Sequence, residues 1–380
     1  MSEYQNKIAR HVFLFAGGGT GGHLYPAIAL AERIKLEEPE AEIHFAGTKK
    51  GIEFRLIPQF GYPLHLVSIK GVRRRLTLQN AAVPFYLMWS FIQSAALIMK
   101  IDPDIVIGTG GYISGPVLFM AQLFGKPTLI QEQNSYPGIT TRLLAKKADR
   151  VHLSFEESKK YFKKQDNIRI TGNPVRMSDQ KISSQVGKLY FGLLPDRPTL
   201  LVFGGSQGAQ AINEALIRCI DRLLLNADLQ IIWGTGESGY DAVALVAEKH
   251  APRVWFAKYI SEMEKAYAAA DMAVCRAGAM TLAEITLHGL PAILVPYPYA
   301  AANHQETNAR ALEKSGAAIV LKENELNNLC SLVLSLFNNP EKRRKMSQAA
   351  LQASHPNAVD DLVSSIFELV EMKSEERKTT

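Results

Sequence analysis

One three-part phrase occurs twice in this chain: an apolar run, a glycine-rich turn, then a helix-like segment. Residues 12–16 lead into Gly17-Gly18-Gly19-Thr20-Gly21-Gly22-His23 and the helix-like stretch 25–36, and residues 199–203 lead into Gly204-Gly205-Ser206-Gln207-Gly208-Ala209 and a helix through Leu216. A strand, a tight turn and a helix start in that order leave backbone N–H groups free to meet an anion. In the first copy a histidine stands beside them.

Between and after these copies, strand-like runs at 43–46, 105–107, 128–130, 229–233, 254–256, 272–275 and 292–295 alternate with helix-like segments such as 116–124 and 139–147. That alternation predicts an α/β fold of two Rossmann-like, doubly wound domains, each on a parallel sheet. Thr171-Gly172-Asn173-Pro174-Val175-Arg176 interrupts the pattern just before it restarts, which puts a linker near Pro174. The expected domains are 1–174 and 175–356. Ligands of open parallel sheets lie at the carboxyl ends of the strands, so both glycine turns are expected to face a cleft between the domains.

A chain of 380 residues can bury two such cores, and 47% apolar with 21% charged residues excludes a disordered chain. Cys219, Cys275 and Cys330 are far apart and form no C-x-x-C pair, which argues against a disulfide framework or zinc ribbon and fits a reducing compartment. The apolar run before the first glycines is too short for a signal-peptide core, so a cytoplasmic protein is expected. Residues 1–178 hold 23 Lys/Arg against 14 Asp/Glu, and the remainder 20 against 23. The first half therefore suits an anionic surface or substrate.

Residues 76–99 contain no charge, yet Gln79, Asn80, Ser90, Gln93 and Ser94 interrupt the run and Pro84 breaks it. Residues 85–99 read as a continuous helix with Ser90, Gln93 and Ser94 as a polar stripe, and an ordinary core helix is one expectation. The other rests on Arg73, Arg74, Arg75 and Leu76 followed by Phe85, Met88 and Trp89. Basic residues beside leucines and aromatics describe a patch that lies on an anionic bilayer without crossing it.

Gly17, Gly19 and Gly22 satisfy G-x-G-x-x-G, the dinucleotide fingerprint. That fingerprint needs an acid after the second strand to hold the ribose, and here the strand ends Phe45-Ala46-Gly47-Thr48, with Thr48-Lys49-Lys50 the remaining route to a 2′-phosphate. Asp102-Pro103-Asp104 imitates a metal-binding D-x-D but precedes its strand, the wrong end for a ligand. No other cluster of hard ligands stands out, so no essential protein-bound metal is expected.

A third glycine turn, Gly108-Thr109-Gly110-Gly111, precedes a helix, and Gln131-Glu132-Gln133-Asn134 follows the next strand. Asn134 suits substrate hydroxyls or amides. In the second half, Arg276-Ala277-Gly278-Ala279-Met280-Thr281-Leu282-Ala283-Glu284 opens a helix whose N-terminus can take a phosphate, with Glu284 placed for a ribose diol. The spacing of Thr281 and Glu284 also fits a capping box. Asn303-His304-Gln305 and Asn308 supply amides at the edge of the next turn, suited to sugar hydroxyls.

Taken together, residues 17–27, 108–116, 132–134, 171–176, 204–209, 276–284, 289–298 and 303–309 resemble the MurG family of UDP-N-acetylglucosamine transferases. The resemblance implies a GT-B fold with residues 357–380 packing back on the first domain. It implies transfer of GlcNAc from UDP-GlcNAc to the 4-hydroxyl of the MurNAc of lipid I, with inversion, giving lipid II for peptidoglycan. It carries Arg176 and Ser206 to the nucleotide, the backbone near Ile260 to uracil and Glu284 to ribose. The stretch Ala279, Met280, Thr281, Leu282 and Ala283 goes to the diphosphate and sugar, and Gln305 with Asn308 to GlcNAc. Thr20, Gly21, Gly22, His23 and Asn134 would line the acceptor side, His23 either as general base or as a diphosphate-positioning group. Gln131 departs from the histidine more usual before Glu-Gln-Asn. The implied partners are UDP-GlcNAc, lipid I, the anionic cytoplasmic face of the bacterial inner membrane and other cell-wall synthesis proteins, without cofactor or nucleic acid. A UDP-sugar epimerase, another glycolipid glycosyltransferase and a non-catalytic nucleotide-sugar scaffold remain alternatives.

Overall fold

The computed structural model describes residues 10–69, 83–176, 181–205 and 208–379. The chain divides into two compact units, Met1–Arg176 with Asn357–Thr380, and Met177–Pro356.

Unit 1 is built on strands β1 (Val12–Gly17), β2 (Glu42–Gly47), β3 (Leu64–Leu66), β4 (Ile105–Gly110), β5 (Thr128–Glu132), β6 (Arg150–Leu153) and β7 (Ile168–Ile170). Among the described residues they form one parallel sheet in the order β3-β2-β1-β4-β5-β6-β7. The order reverses between β1 and β4, and such a switch point opens a crevice at the carboxyl ends. Side chains alternate across a strand, so Phe13 and Phe15 enter one core while Leu14 and Ala16 enter another on the opposite face. Burial on both faces explains why these strands read as continuous apolar runs.

The last helix, Ala358–Thr379, places Leu362, Val363, Ile366, Leu369 and Val370 in the Phe13 core, a helical spacing that makes one apolar stripe. Phe367 meets Phe13 edge-on at 5.8 Å, and His152 Nε2 lies 3.0 Å from Ser365 Oγ. Burial pushes the His152 pKa down to about 4, so this latch works with a neutral ring.

Unit 2 contains β8 (Thr199–Phe203), β9 (Gln230–Gly234), β10 (Val254–Ala257), β11 (Met272–Cys275), β12 (Ala292–Leu294) and β13 (Ala318–Val320). Its described strands are parallel in the order β10-β9-β8-β11-β12-β13, the same reversal with the switch point between β8 and β11. One core holds Leu200, Val202, Ile231, Trp233, Val274 and Ile293. Trp233 is fully buried and its indole N–H donates to Asn213 Oδ1 at 2.9 Å.

Several expectations change. The first helix is Gly21–Glu37, so Gly21, Gly22 and His23 form its first turn and are not loop residues. The helix expected over 139–147 is Ile139–Leu144, and β3, β6, β7 and β13 were not foreseen.

The uncharged stretch becomes the helix Val83–Ile101, with Pro84 in the first turn, where its missing N–H costs nothing. Its polar stripe faces inward: Ser90 and Ser94 are fully buried, while Phe85 is 79% and Trp89 53% exposed, with Met88, Ile92 and Met99 beside them. An ordinary core helix is thereby ruled out for this face. The helix packs on the helix Ser114–Leu123, where Phe91 meets Phe119 at 5.1 Å, and Ser90 folds its hydroxyl onto Leu87 O at 2.6 Å. No described helix is long and apolar enough to cross a membrane. Arg73, Arg74, Arg75 and Leu76 lie outside the described residues.

Candidate active site

In unit 1 the candidate site sits at the β1/β4 switch point. β1 ends at Gly17, and the turn reaches the helix Gly21–Glu37 through Thr20, whose backbone is extended and whose side chain makes no capping bond. Leu24 N–H donates to Thr20 O at 3.2 Å, and the N–H groups of Gly21 and Gly22 have no partner among the described residues. With no acidic side chain in the first turn, this helix end retains its positive partial charge.

The turn itself is less open to an anion than five glycines suggest. Buried Glu53 accepts Gly19 N–H at 2.8 Å on one carboxylate oxygen, and Thr48 N–H at 2.9 Å and Thr48 Oγ1 at 2.8 Å on the other. A Cβ on Gly18 would lie 2.5 Å from the Glu53 carboxyl carbon. Here the glycine makes room for a protein carboxylate. Nothing in the sequence around Glu53 announces this role, because its partners are 5 and 34 residues away.

His23 is half-buried, and its Nδ1 lies 2.9 Å from Gln133 Oε1. Thr109 Oγ1 donates to His23 O at 2.7 Å, fixing the backbone under the ring. Gly110 has φ of 104°, and a Cβ there would come within 2.5 Å of His23 Nδ1. Any other residue at 110 would displace the imidazole, which capping alone does not explain. Nε2 has no partner among the described residues. Asn134, also partly buried, is tied to Glu132 Oε1 through its backbone at 3.2 Å and its amide at 3.3 Å. Thr20, Gly21, Gly22 and His23 are thus brought together, while Asn134 follows the adjoining strand β5.

Arg176 closes unit 1, with its Nε 2.6 Å from Glu32 Oε2 and its guanidinium over the Phe60 ring. Asp102 and Asp104 serve the fold: Asp104 Oδ2 accepts Val12 N–H at 2.9 Å and Asp102 pairs with Lys126 at 2.5 Å.

In unit 2 the helix Ala279–Leu287 follows β11 at its switch point. Its N-cap is Gly278, which has no side chain to cap the helix, and the N–H groups of Met280 and Thr281 have no partner among the described residues. Ala279 and Leu282 are buried, Ala283 half-buried. Because Thr281 is the third helical residue, the capping box with Glu284 does not form.

Glu284 instead accepts the Tyr267 hydroxyl at 2.7 Å, while Tyr267 stacks on His288 at 5.0 Å. The residue keeps some surface exposure, yet packing around its carboxyl raises the pKa to about 7, with the Tyr267 hydrogen bond opposing the shift. Tyr267 escaped the sequence reading because it comes from a different helix, Met263–Ala269.

Ile260 is buried against Gly234 at the end of β9. Gln305 is half-buried, its Oε1 accepting Tyr297 N–H at 2.9 Å, whereas Asn308 is fully buried. Of these two amides, only Gln305 reaches the surface. Arg276 is structural, its Nη1 spanning Val295 O, Pro296 O and Glu323. Ser206 lies outside the described residues. No group of three or more His, Cys, Asp or Glu able to hold a metal occurs among the described residues.

Comparison with known proteins assigns the arrangement. Residues 13–153 match the glycosyltransferase family 28 N-terminal domain and residues 199–362 its C-terminal domain. The UDP-N-acetylglucosamine--N-acetylmuramyl-(pentapeptide) pyrophosphoryl-undecaprenol N-acetylglucosamine transferase of Chlorobaculum parvum is 47% identical over 94% of this chain and 98% of its own. The protein of that name from Salinibacter ruber is 43% identical over 96% and 98%. The crystal structure of Acinetobacter baumannii MurG superposes with a TM-score of 0.75 at 28% identity, covering 94% of this chain and 99% of that one. A Listeria monocytogenes structure described as a UDP-N-acetylglucosamine 2-epimerase shares the fold, with a TM-score of 0.67 at 14% identity over 94% and 96%. Two Rossmann-like units with matching domains at both ends make this a GT-B glycosyltransferase, and the chain belongs to glycosyltransferase family 28, in its MurG group.

Proposed function

We propose that this chain transfers GlcNAc from UDP-GlcNAc to the 4-hydroxyl of the MurNAc of lipid I, inverting the anomeric centre and forming lipid II. The observation that carries the reading is the end-to-end match with transferases of that name. The two sites supply chemistry of the right kind.

As the hydroxyl attacks, the sugar becomes oxocarbenium-like and negative charge grows on the departing diphosphate. The uncapped helix at Met280 and Thr281 stabilises that charge in unit 2, and Glu284 accepts hydrogen bonds from the ribose. Backbone near Ile260 meets uracil, Ser206 and Arg176 meet the nucleotide, and Gln305 meets GlcNAc, with buried Asn308 behind it. In unit 1, Thr20, Gly21 and Gly22 hold the acceptor diphosphate, Asn134 its sugar, and His23 Nε2 takes the proton from the attacking hydroxyl. No protein-bound metal takes part. Excess chelator is expected to leave the rate unchanged, and loss restored by one divalent cation would overturn that point.

The acceptor is a lipid, and the outward apolar face at Phe85, Met88, Trp89 and Ile92 supports peripheral attachment to the cytoplasmic face of the plasma membrane. Phe119, Leu123 and Leu143 are exposed on the following helices, and the exposed basic pair Lys146 and Lys147 lies in the turn after the second of them. Arg73, Arg74, Arg75 and Leu76 add the charge and leucine expected from sequence. Replacing Phe85 and Trp89 by Ser should weaken binding to anionic vesicles at all salt concentrations. Replacing the three arginines should do so mainly at low salt; unchanged binding in both would remove the patch.

The test of the reaction is transfer of labelled GlcNAc from UDP-GlcNAc to lipid I, with UDP release dependent on the lipid. Interconversion of the sugar nucleotide without lipid would favour the epimerase, and binding without turnover the scaffold.

A further inference from the structure

We propose that Gln133 is a positioning residue that fixes His23 as the tautomer protonated at Nδ1, leaving Nε2 as the bare, basic nitrogen. The inference deepens the reading of His23 as general base and rests on it for its catalytic consequence.

The geometry permits one assignment of hydrogens. Gln133 is 2% exposed, and its Nε2 donates to Thr109 O at 2.7 Å, to Gln131 O at 3.2 Å and to Gln131 Oε1. Turning the amide over would press its oxygen against three acceptors, so the oxygen must face His23. An amide oxygen only accepts; at 2.9 Å, His23 Nδ1 must therefore donate. A neutral imidazole has one N–H, so the lone pair is left on Nε2.

The support extends into the unit. Gln131 Nε2 donates to Asn173 Oδ1 at 3.0 Å and to Ser154 Oγ at 3.2 Å, while Asn173 Nδ2 donates to Gln133 O at 3.2 Å. Gln131, Gln133, Asn173 and Ser154 are all buried, and none titrates. A carboxylate behind the ring would also fix the tautomer, but it would favour the imidazolium and raise the pKa. An amide orients the ring without placing a charge behind it. Gln131, the residue set apart from the family pattern, thus forms part of an uncharged support.

Long-range 15N–1H spectra of the full chain labelled with 15N-histidine test this directly, with His23 assigned by its disappearance in His23→Ala. At a pH where the ring is neutral, the Nδ1–H pattern is expected in the wild type and the Nε2–H form should appear in Gln133→Met. In that variant kcat should fall about 10- to 100-fold with the KM for UDP-GlcNAc unchanged. An Nε2–H wild-type ring would overturn the proposal whether or not the variant folds, as would a variant keeping both tautomer and kcat. If the tautomer behaves as expected but His23→Ala turns over at the wild-type rate, Gln133 keeps its structural assignment and His23 loses the role of base.

Discussion

The two switch points share a strand order but differ in what occupies them. In unit 1, protein groups fill much of the space that the glycines open: Glu53 takes Gly19 N–H, and the His23 ring takes the space beside Gly110. What remains without a partner among the described residues is one imidazole nitrogen and the N–H groups of Gly21 and Gly22. In unit 2 the helix Ala279–Leu287 begins on a glycine N-cap, with the N–H groups of Met280 and Thr281 unpartnered among the described residues, a carboxylate one turn in and a phenol behind it. On the proposed function, the same backbone geometry serves proton transfer in one unit and binding of a nucleotide diphosphate in the other. A count of glycines would have made the first turn the stronger anion site; the contacts favour the second.

The largest effect that would break this division is in unit 1. His23→Ala should lower kcat by about 10²- to 10⁴-fold with little change in the KM for UDP-GlcNAc, measured with lipid I in excess. A rise in KM with kcat intact would make His23 a binding group. Next is Glu53→Ala, which removes the buried carboxylate that accepts from Gly19 and Thr48 and should cost about 1–3 kcal/mol in denaturant unfolding. A silent substitution would mean that the glycine turn holds its shape without the carboxylate.

On the other side, Glu284→Gln should weaken UDP-GlcNAc about 10- to 100-fold while leaving kcat nearly unchanged. The smallest effect is a proton linkage. With its pKa raised to about 7, Glu284 is partly protonated in the free protein at neutral pH, whereas in the proposed role ribose hydroxyls would donate to the ionised form. UDP-GlcNAc affinity should therefore fall as pH drops below about 7, toward a tenfold loss per unit, and binding should release a proton. Glu284→Gln should flatten that dependence. A profile unchanged by the substitution would place the titrating group elsewhere.

The architecture was legible because central strands buried on both faces, such as 12–16 and 199–203, are unbroken apolar runs. The unforeseen strands were short: β3, β7 and β13 lie at sheet edges, and β6 has only four residues, beginning with Arg150. The glycine turns, His23 and Glu284 were visible as local motifs. Glu53, Tyr267 and the orientation of Gln133 were not, since each acts through a residue distant in sequence. For the helix Val83–Ile101 the polar stripe was legible but its direction was not. Periodicity marks two faces of a helix and says nothing of which one turns inward.

The division of labour is tested most directly by titrating UDP-GlcNAc into the full-length wild type, His23→Ala and Glu284→Gln by calorimetry at pH 8. The account predicts wild-type affinity for His23→Ala despite its lost turnover, and affinity about tenfold or more weaker for Glu284→Gln. Equal weakening in both variants, or weakening confined to His23→Ala, would contradict it.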